Sequence, residues 1–217
     1  MLTWFLFNSG KAKNNAQCWG LAIGADLALV NRSALDRLAC GYSRSVMRML
    51  LRDWWSVACR EELQFQLECL FERGMNDAFQ TIVYAYSEGR VSAIQPMDEA
   101  TRKRVRFVGE RIGQCSSVGH IQAFDLCRVS NLARFGFSAA MLSEVEAWEW
   151  IDRASQRIQP IFDSWGEMGE NYKLGYDFWN AASFDRDDVF RHRNWLQSAP
   201  QSPWTRLPWN TPLMGIV

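Results

Sequence analysis

An all-α fold is what this chain predicts, and three observations carry the prediction. Apolar residues recur at steps of three and four along most of its 217 residues. Ser-x-x-Glu pairs stand ahead of two of these stretches, as capping boxes do. No stretch shows the alternation that a half-buried strand requires. The expected architecture is a single globular multi-helix domain over 1–217, with a Trp- and Pro-rich C-terminal tail wrapping the core.

Residues 1–18 are expected to form an N-terminal arm. Met1–Phe7 is apolar but too short for a signal h-region, with no basic segment before it and no cleavage site after it. Leu27, Leu29, Val30, Leu35 and Leu38 suggest one helix, broken near Asn31-Arg32-Ser33, and Gly41 separates it from a second over Ser43 to Trp54. Ser56 is placed to cap the next helix, whose apolar positions are Leu63, Leu67, Leu70 and Phe71. Gly74 supplies its left-handed cap. A further helix runs from Ala78 to Tyr86 and ends at Gly89. Asp98 is placed to cap one running to about Ile112. The polar stretch Gly113–Gly119 reads as a loop. The next helix starts near His120 and stops at Gly136.

Ser143 with Glu146, and Ser164 with Glu167, begin the two strongest helices. The first buries Ala147, Ile151, Ala154, Ile158 and Ile161. The second presents Trp165, Met168, Tyr172, Tyr176 and Trp179 on one face. Four of the chain's 11 Trp residues lie between Ser143 and Trp179, so this stretch should dominate the core. Over 183–217 the prolines forbid a long helix. Trp195, Trp204 and Trp209 give this irregular tail a reason to pack on the domain.

Lys plus Arg equals Asp plus Glu at 24 each, which argues against a generally basic nucleic-acid surface. No run reaches the roughly 20 apolar residues of a membrane span. The six cysteines form no C-x-x-C pair and there are only two histidines, so no metal site or cofactor is expected. Cys59, Cys69 and Cys127 read as small core residues of a reduced, cytoplasmic protein.

Several pieces of the sequence resemble a bacterial family of unknown function typified by the enterobacterial proteins YbeR and YbeU. They are Trp54-Trp55-Ser56-Val57 leading into Arg60-Glu61-Glu62-Leu63, Ala123-Phe124-Asp125-Leu126-Cys127-Arg128, Glu146-Ala147-Trp148, Phe162-Asp163-Ser164-Trp165, Asn171-Tyr172-Lys173-Leu174-Gly175 and Leu207-Pro208-Trp209. Phe124 stands where the family pattern has Trp. The resemblance implies a cytosolic helical domain and supplies no reaction.

The residues able to carry chemistry are few. Asp125 and Arg128 share a helix face as an ion pair or a substrate anchor. Glu144, Glu146, Glu149 and Asp152 form an acidic cluster at a helix start, where the dipole already favours them. His120 stands near Cys115 without a protease signature. Arg102, Lys103, Arg104, Arg106 and Arg111 make one basic helix face, which Arg191 and Arg193 would extend to meet another protein or RNA. The shortage of interleaved aromatics weakens the RNA reading. Trp150 lies off the buried stripe of its helix and is the candidate exposed anchor.

Two functional expectations follow. The first is a non-enzymatic protein-binding module, of the immunity or adaptor type, that neutralises or escorts a toxin or chaperone-type partner. The second is a hydrolase or nuclease that gathers Asp125, Arg128, Glu146, Glu149 and His120 in one cleft.

Overall fold

The computed structural model describes residues 10–95, 98–181 and 191–216. Twelve α-helices appear there: α1 Asn15–Ala22, α2 Ala25–Val30, α3 Arg44–Trp55, α4 Arg60–Glu72, α5 Gly74–Ser87, α6 Glu99–Glu110, α7 Ile112–Val118, α8 Gln122–Ser138, α9 Glu144–Ile158, α10 Trp165–Trp179, α11 Arg191–Ser198 and α12 Pro203–Arg206. No strand occurs among the described residues, and the extended structure is limited to an isolated bridge between Lys11 and Arg37. The segment Met1–Phe7, expected to be an arm or strand, lies outside the described residues.

Helix α8 is the axis of the fold. Of its 17 residues, 13 are buried, and α2, α3, α4, α5, α9 and α10 all pack against it. A helix enclosed on every side cannot be amphipathic. Its polar residues therefore hold neighbours in place. The Ser130 hydroxyl donates to Gly20 O, and the Asn131 amide donates to Gly24 O. The buried Arg134 guanidinium donates to Ala34 O. Asn171 of α10 closes the helix start by accepting from Ala123 N–H and donating to His120 O.

The core has two parts. The larger surrounds α8, α9 and the tail. The smaller lies between α5, α6, α7 and α10 around Phe79, Val108, Ile121 and Phe178. Helix α10 serves both, which is why Leu174 and Phe178 are as buried as Met168 and Tyr172. Its predicted stripe holds from Trp165 to Tyr172, whereas Trp179 at the helix end is 40% exposed.

The described part of the C-terminal tail, 191–216, packs on the core through indole rings, while 183–190 of the predicted tail lie outside the described residues. Trp19, Trp165, Trp204 and Trp209 form a cluster with ring centroids 4.8–5.8 Å apart. Every ring in it also spends its N–H. Trp19 donates to Trp209 O, Trp165 to Leu207 O, Trp204 to Ala22 O and Trp209 to Gln159 O. Aromatic burial and satisfied indole donors together hold this Pro-rich segment on the domain. The tail is not wholly irregular, since α11 and α12 lie in it. Likewise the first turn of α1 falls inside the arm assigned to residues 1–18.

Four local expectations are corrected. Ser56 does not begin a helix; it ends α3 with a left-handed φ of 55°, and Cys59 begins α4, with Glu62 accepting from Ala58 and Cys59 N–H. Residues 112–118 form helix α7 and not a loop. That helix buries only Cys115, so its polar composition is that of an exposed turn. Helix α8 passes through Gly136 because the missing side chain makes room for Leu63 and Leu142, not for a left-handed turn. Cys59 is exposed and Cys69 half-buried, while Cys127 is in the core.

The Ser143 box is formed in full. Its hydroxyl accepts from Glu146 N–H, and the Glu146 carboxylate accepts from Ser143 N–H. At Ser164 the hydroxyl accepts from Glu167 N–H, but the Glu167 carboxylate reaches one residue further back, to Asp163 N–H.

Trp150 is the main error of the sequence reading. It is 8% exposed, packed edge-on to Phe71 of α4 and covered by the Arg153 guanidinium 4.2 Å from its ring centre. Helices α4 and α9 run side by side, joined by Arg60–Glu146, Glu68–Arg153 and Glu72–Arg157. Trp150 sits in that seam, so facing away from α8 does not mean facing solvent.

Two stability outcomes are expected. Trp165→Ala should cost roughly 3–5 kcal/mol, the usual range for truncating a buried aromatic. Trp150→Ala should also destabilise measurably, where an exposed anchor would not, and thermal denaturation of both variants beside wild type checks this. Ser143→Ala should cost about 0.5–2 kcal/mol through loss of the cap acceptor, read from the midpoint of urea unfolding.

Candidate functional site

Two clefts bring candidate residues to the surface, and they share no residue. The first, about 210 Å³, opens beside the junction of α4 and α5 and is lined by Arg73, Asn76, Asp77, Gln122, Asp125 and Arg157 among others. The second, about 530 Å³, lies where α4 and α9 begin and includes Arg48, Cys59, Arg60, Met141, Leu142 and Glu146.

Asp125 stands in the first turn of α8 and is nearly buried. Its two oxygens accept from Met75 N–H (3.0 Å) and Asn76 N–H (2.8 Å), the opening donors of α5. Gly74 adopts φ +59° and leaves no room for a side chain against this carboxylate. The left-handed glycine predicted at the end of α4 is therefore also what lets Asp125 approach. Arg128 pairs with Asp125, donates to Phe124 O and lies 4.0 Å over the Phe124 ring. Burial pushes the Asp125 carboxyl up, and the Arg128 charge with the two backbone donors opposes that. All of these contacts are structural: the pair fixes α5 on α8.

Glu146 is similarly spent. Its ion pair with Arg60, first, and its bonds to Ser143 hold the carboxyl down to about 2. Arg60 also donates to Met141 O. Glu149 is exposed on α9, and Asp152 accepts only from Gln156 of its own helix, at 3.4 Å. His120 faces the ring of Phe162 and Asn171, and burial lowers its basicity. The structure thus pairs Asp125 with Arg128 and places Asp125 and Glu146 in different clefts. The shared cleft that a hydrolase or nuclease would need is not assembled. Among the described residues no group of three His, Cys, Asp or Glu side chains is placed to hold a metal ion.

The predicted basic face also changes. Arg102 and Lys103 both reach Glu99 of their own helix. Arg104 is half-buried over Phe178, and Arg106 is exposed. The Arg191 side chain lies outside the described residues. Arg193 is not solvated: it is 5% exposed and reaches Asp26 at 3.5 Å and Glu170 at 3.4 Å. This buried pair joins α11 to α2. It was invisible in the sequence because Asp26 and Arg193 are far apart along the chain, and nothing local marks either as a partner.

A bundle of helices around one buried axial helix, with two clefts at its surface, defines an all-α domain. The chain belongs to the family described as Protein of unknown function (DUF1266), whose model matches residues 50–209. No curated protein and no solved structure matches the chain. No helix among the described residues is long and apolar enough to cross a membrane.

The Asp26–Arg193 pair sets a pH test. Burial raises the Asp26 carboxyl to about 6, even against the Arg193 charge, whereas an unfolded Asp titrates near ~3.9. Between these values the folded state holds more protons than the unfolded one, so this group removes stability as pH rises from 4 to 6. Each tenfold change in proton affinity is worth about 1.4 kcal/mol. Melting temperatures of wild type minus those of Asp26→Asn should fall across that window. A flat difference would show that Asp26 titrates normally.

Proposed function

We propose that this chain is a non-enzymatic protein-binding module of the immunity or adaptor type, which works in a bacterial cytoplasm and neutralises or escorts a toxin or chaperone-type partner. The observation that carries the reading is the exposure of large aromatic side chains on helices that are otherwise well packed. Trp54 is 72% exposed on α3 and Phe65 is 68% exposed on α4. Tryptophan and other large rings dominate the energetics of binding interfaces. A lone exposed apolar residue is ordinary, but here Asp125, Arg128 and Glu146 are committed to helix starts and ion pairs. The similarity to proteins such as YbeR and YbeU supports the bacterial setting of the proposal.

The test separates binding from folding. Trp54→Ala and Phe65→Ala should melt within about 0.5 kcal/mol of wild type, as exposed positions do. Co-purification with the product of the neighbouring gene should be lost or weakened in at least one variant. A wild-type protein that retains no partner, or two variants that retain it fully, would sink the reading.

A further inference from the structure

A row of exposed arginines lies on α3. This helix is held to the core by Met47 and Leu51, both fully buried, while Arg44, Ser45, Arg48, Met49 and Arg52 face outward. Arginines at 44, 48 and 52 repeat every four residues, which aligns them along one side over roughly 12 Å. Arg52 has Asp53, its chain neighbour, at 2.8 Å. Among the described residues neither Arg44 nor Arg48 has a carboxylate at ion-pair distance. The contrast with α6 is direct, since there Arg102 and Lys103 share Glu99.

The row of arginines leads into the larger cleft. Arg48 donates its Nε–H to Ala139 O at 3.0 Å and lines that cleft. Across it, Arg60 is already neutralised by Glu146, so Arg48 is the cation it offers to a ligand. Met141 and Leu142, both largely buried, contribute apolar wall. At about 530 Å³ the cleft is within the size range of ligand pockets.

Resting on the protein-binding reading, we propose that the α3 arginine row and the adjoining cleft dock an acidic, partly apolar peptide segment of the partner protein. Carboxylates would meet Arg44, Arg48 and Arg52, and an apolar side chain would enter between Met141 and Leu142. Charge complementarity of this kind mainly sets orientation, partner choice and association rate. A nucleic acid fits less well. The chain is neutral overall, so no broad basic surface supports the three arginines. A membrane surface also fits less well, because the apolar side of α3 is consumed by the core.

The probe is a short fluorescein-labelled peptide of Glu and Leu, with a Gln-for-Glu version as control, followed by fluorescence anisotropy. Wild type should bind the Glu peptide, more weakly as salt rises, and should not bind the Gln peptide. The double variant Arg44→Glu with Arg52→Glu touches only exposed positions and should lose about tenfold or more in affinity. Arg48→Glu should do the same, and Arg90→Glu, an exposed position after α5, should leave binding unchanged. An equal loss in Arg90→Glu, or no binding by wild type, would overturn the proposal. So would tighter binding to phosphatidylserine vesicles or to a single-stranded oligonucleotide. The double variant also enters the co-purification. A partner retained by both proteins leaves the protein-binding reading intact and overturns the α3 face. If wild type retains no partner, the protein-binding reading fails, and the peptide titration still decides whether α3 binds acidic segments.

Discussion

The rest of the structure depends on the burial of α8. A helix with 13 buried residues has no face for solvent, so each of its polar groups must find a protein partner or cost about 1–3 kcal/mol. Asp125 finds the open N–H groups of α5. Ser130 and Asn131 find carbonyls at the two ends of the turn between α1 and α2. Arg134 finds Ala34 in the connection to α3. The polar residues of one helix thereby fix where four other segments lie. Apolar packing alone would hold these segments close but leave their sliding poorly determined.

The same economy governs the candidate chemistry. A carboxylate earns a catalytic role when its environment leaves it a proton to move or a ligand to hold. Asp125 is nearly buried, yet its lone pairs are consumed by two backbone donors and Arg128. Glu146 is consumed by Arg60 and Ser143. Perturbed titration at these positions is thus the mark of architecture. The α3 arginines are the opposite case: ordinary surface residues by sequence, yet aligned on one exposed side of a helix that borders a cleft.

The tail extends the logic of aromatic burial. Four indoles from three separated parts of the chain meet in one cluster, and each N–H donates to a backbone carbonyl. The arrangement binds the C-terminal segment to α1 and α10 with little regular structure of its own. Two indoles donate to carbonyls of Leu207-Pro208-Trp209, at Leu207 and Trp209.

The sequence by itself determined the all-α class, the caps at Ser143, Ser164 and Asp98, the stripe of α9 and the wrapping tail. These rest on local chemistry: a cap bonds within three or four residues, and a stripe needs only a helical repeat. Tertiary structure alone decided which outward face is covered. Trp150 looked free because it points away from α8, but α4 lies on that side. Arg193 looked solvated because its neighbours in sequence are charged, but α2 supplies Asp26. Gly136 looked like a stop, but Leu63 needs its empty space. Each depends on a residue distant in sequence arriving against it, and periodicity along one helix carries no record of what packs beside it.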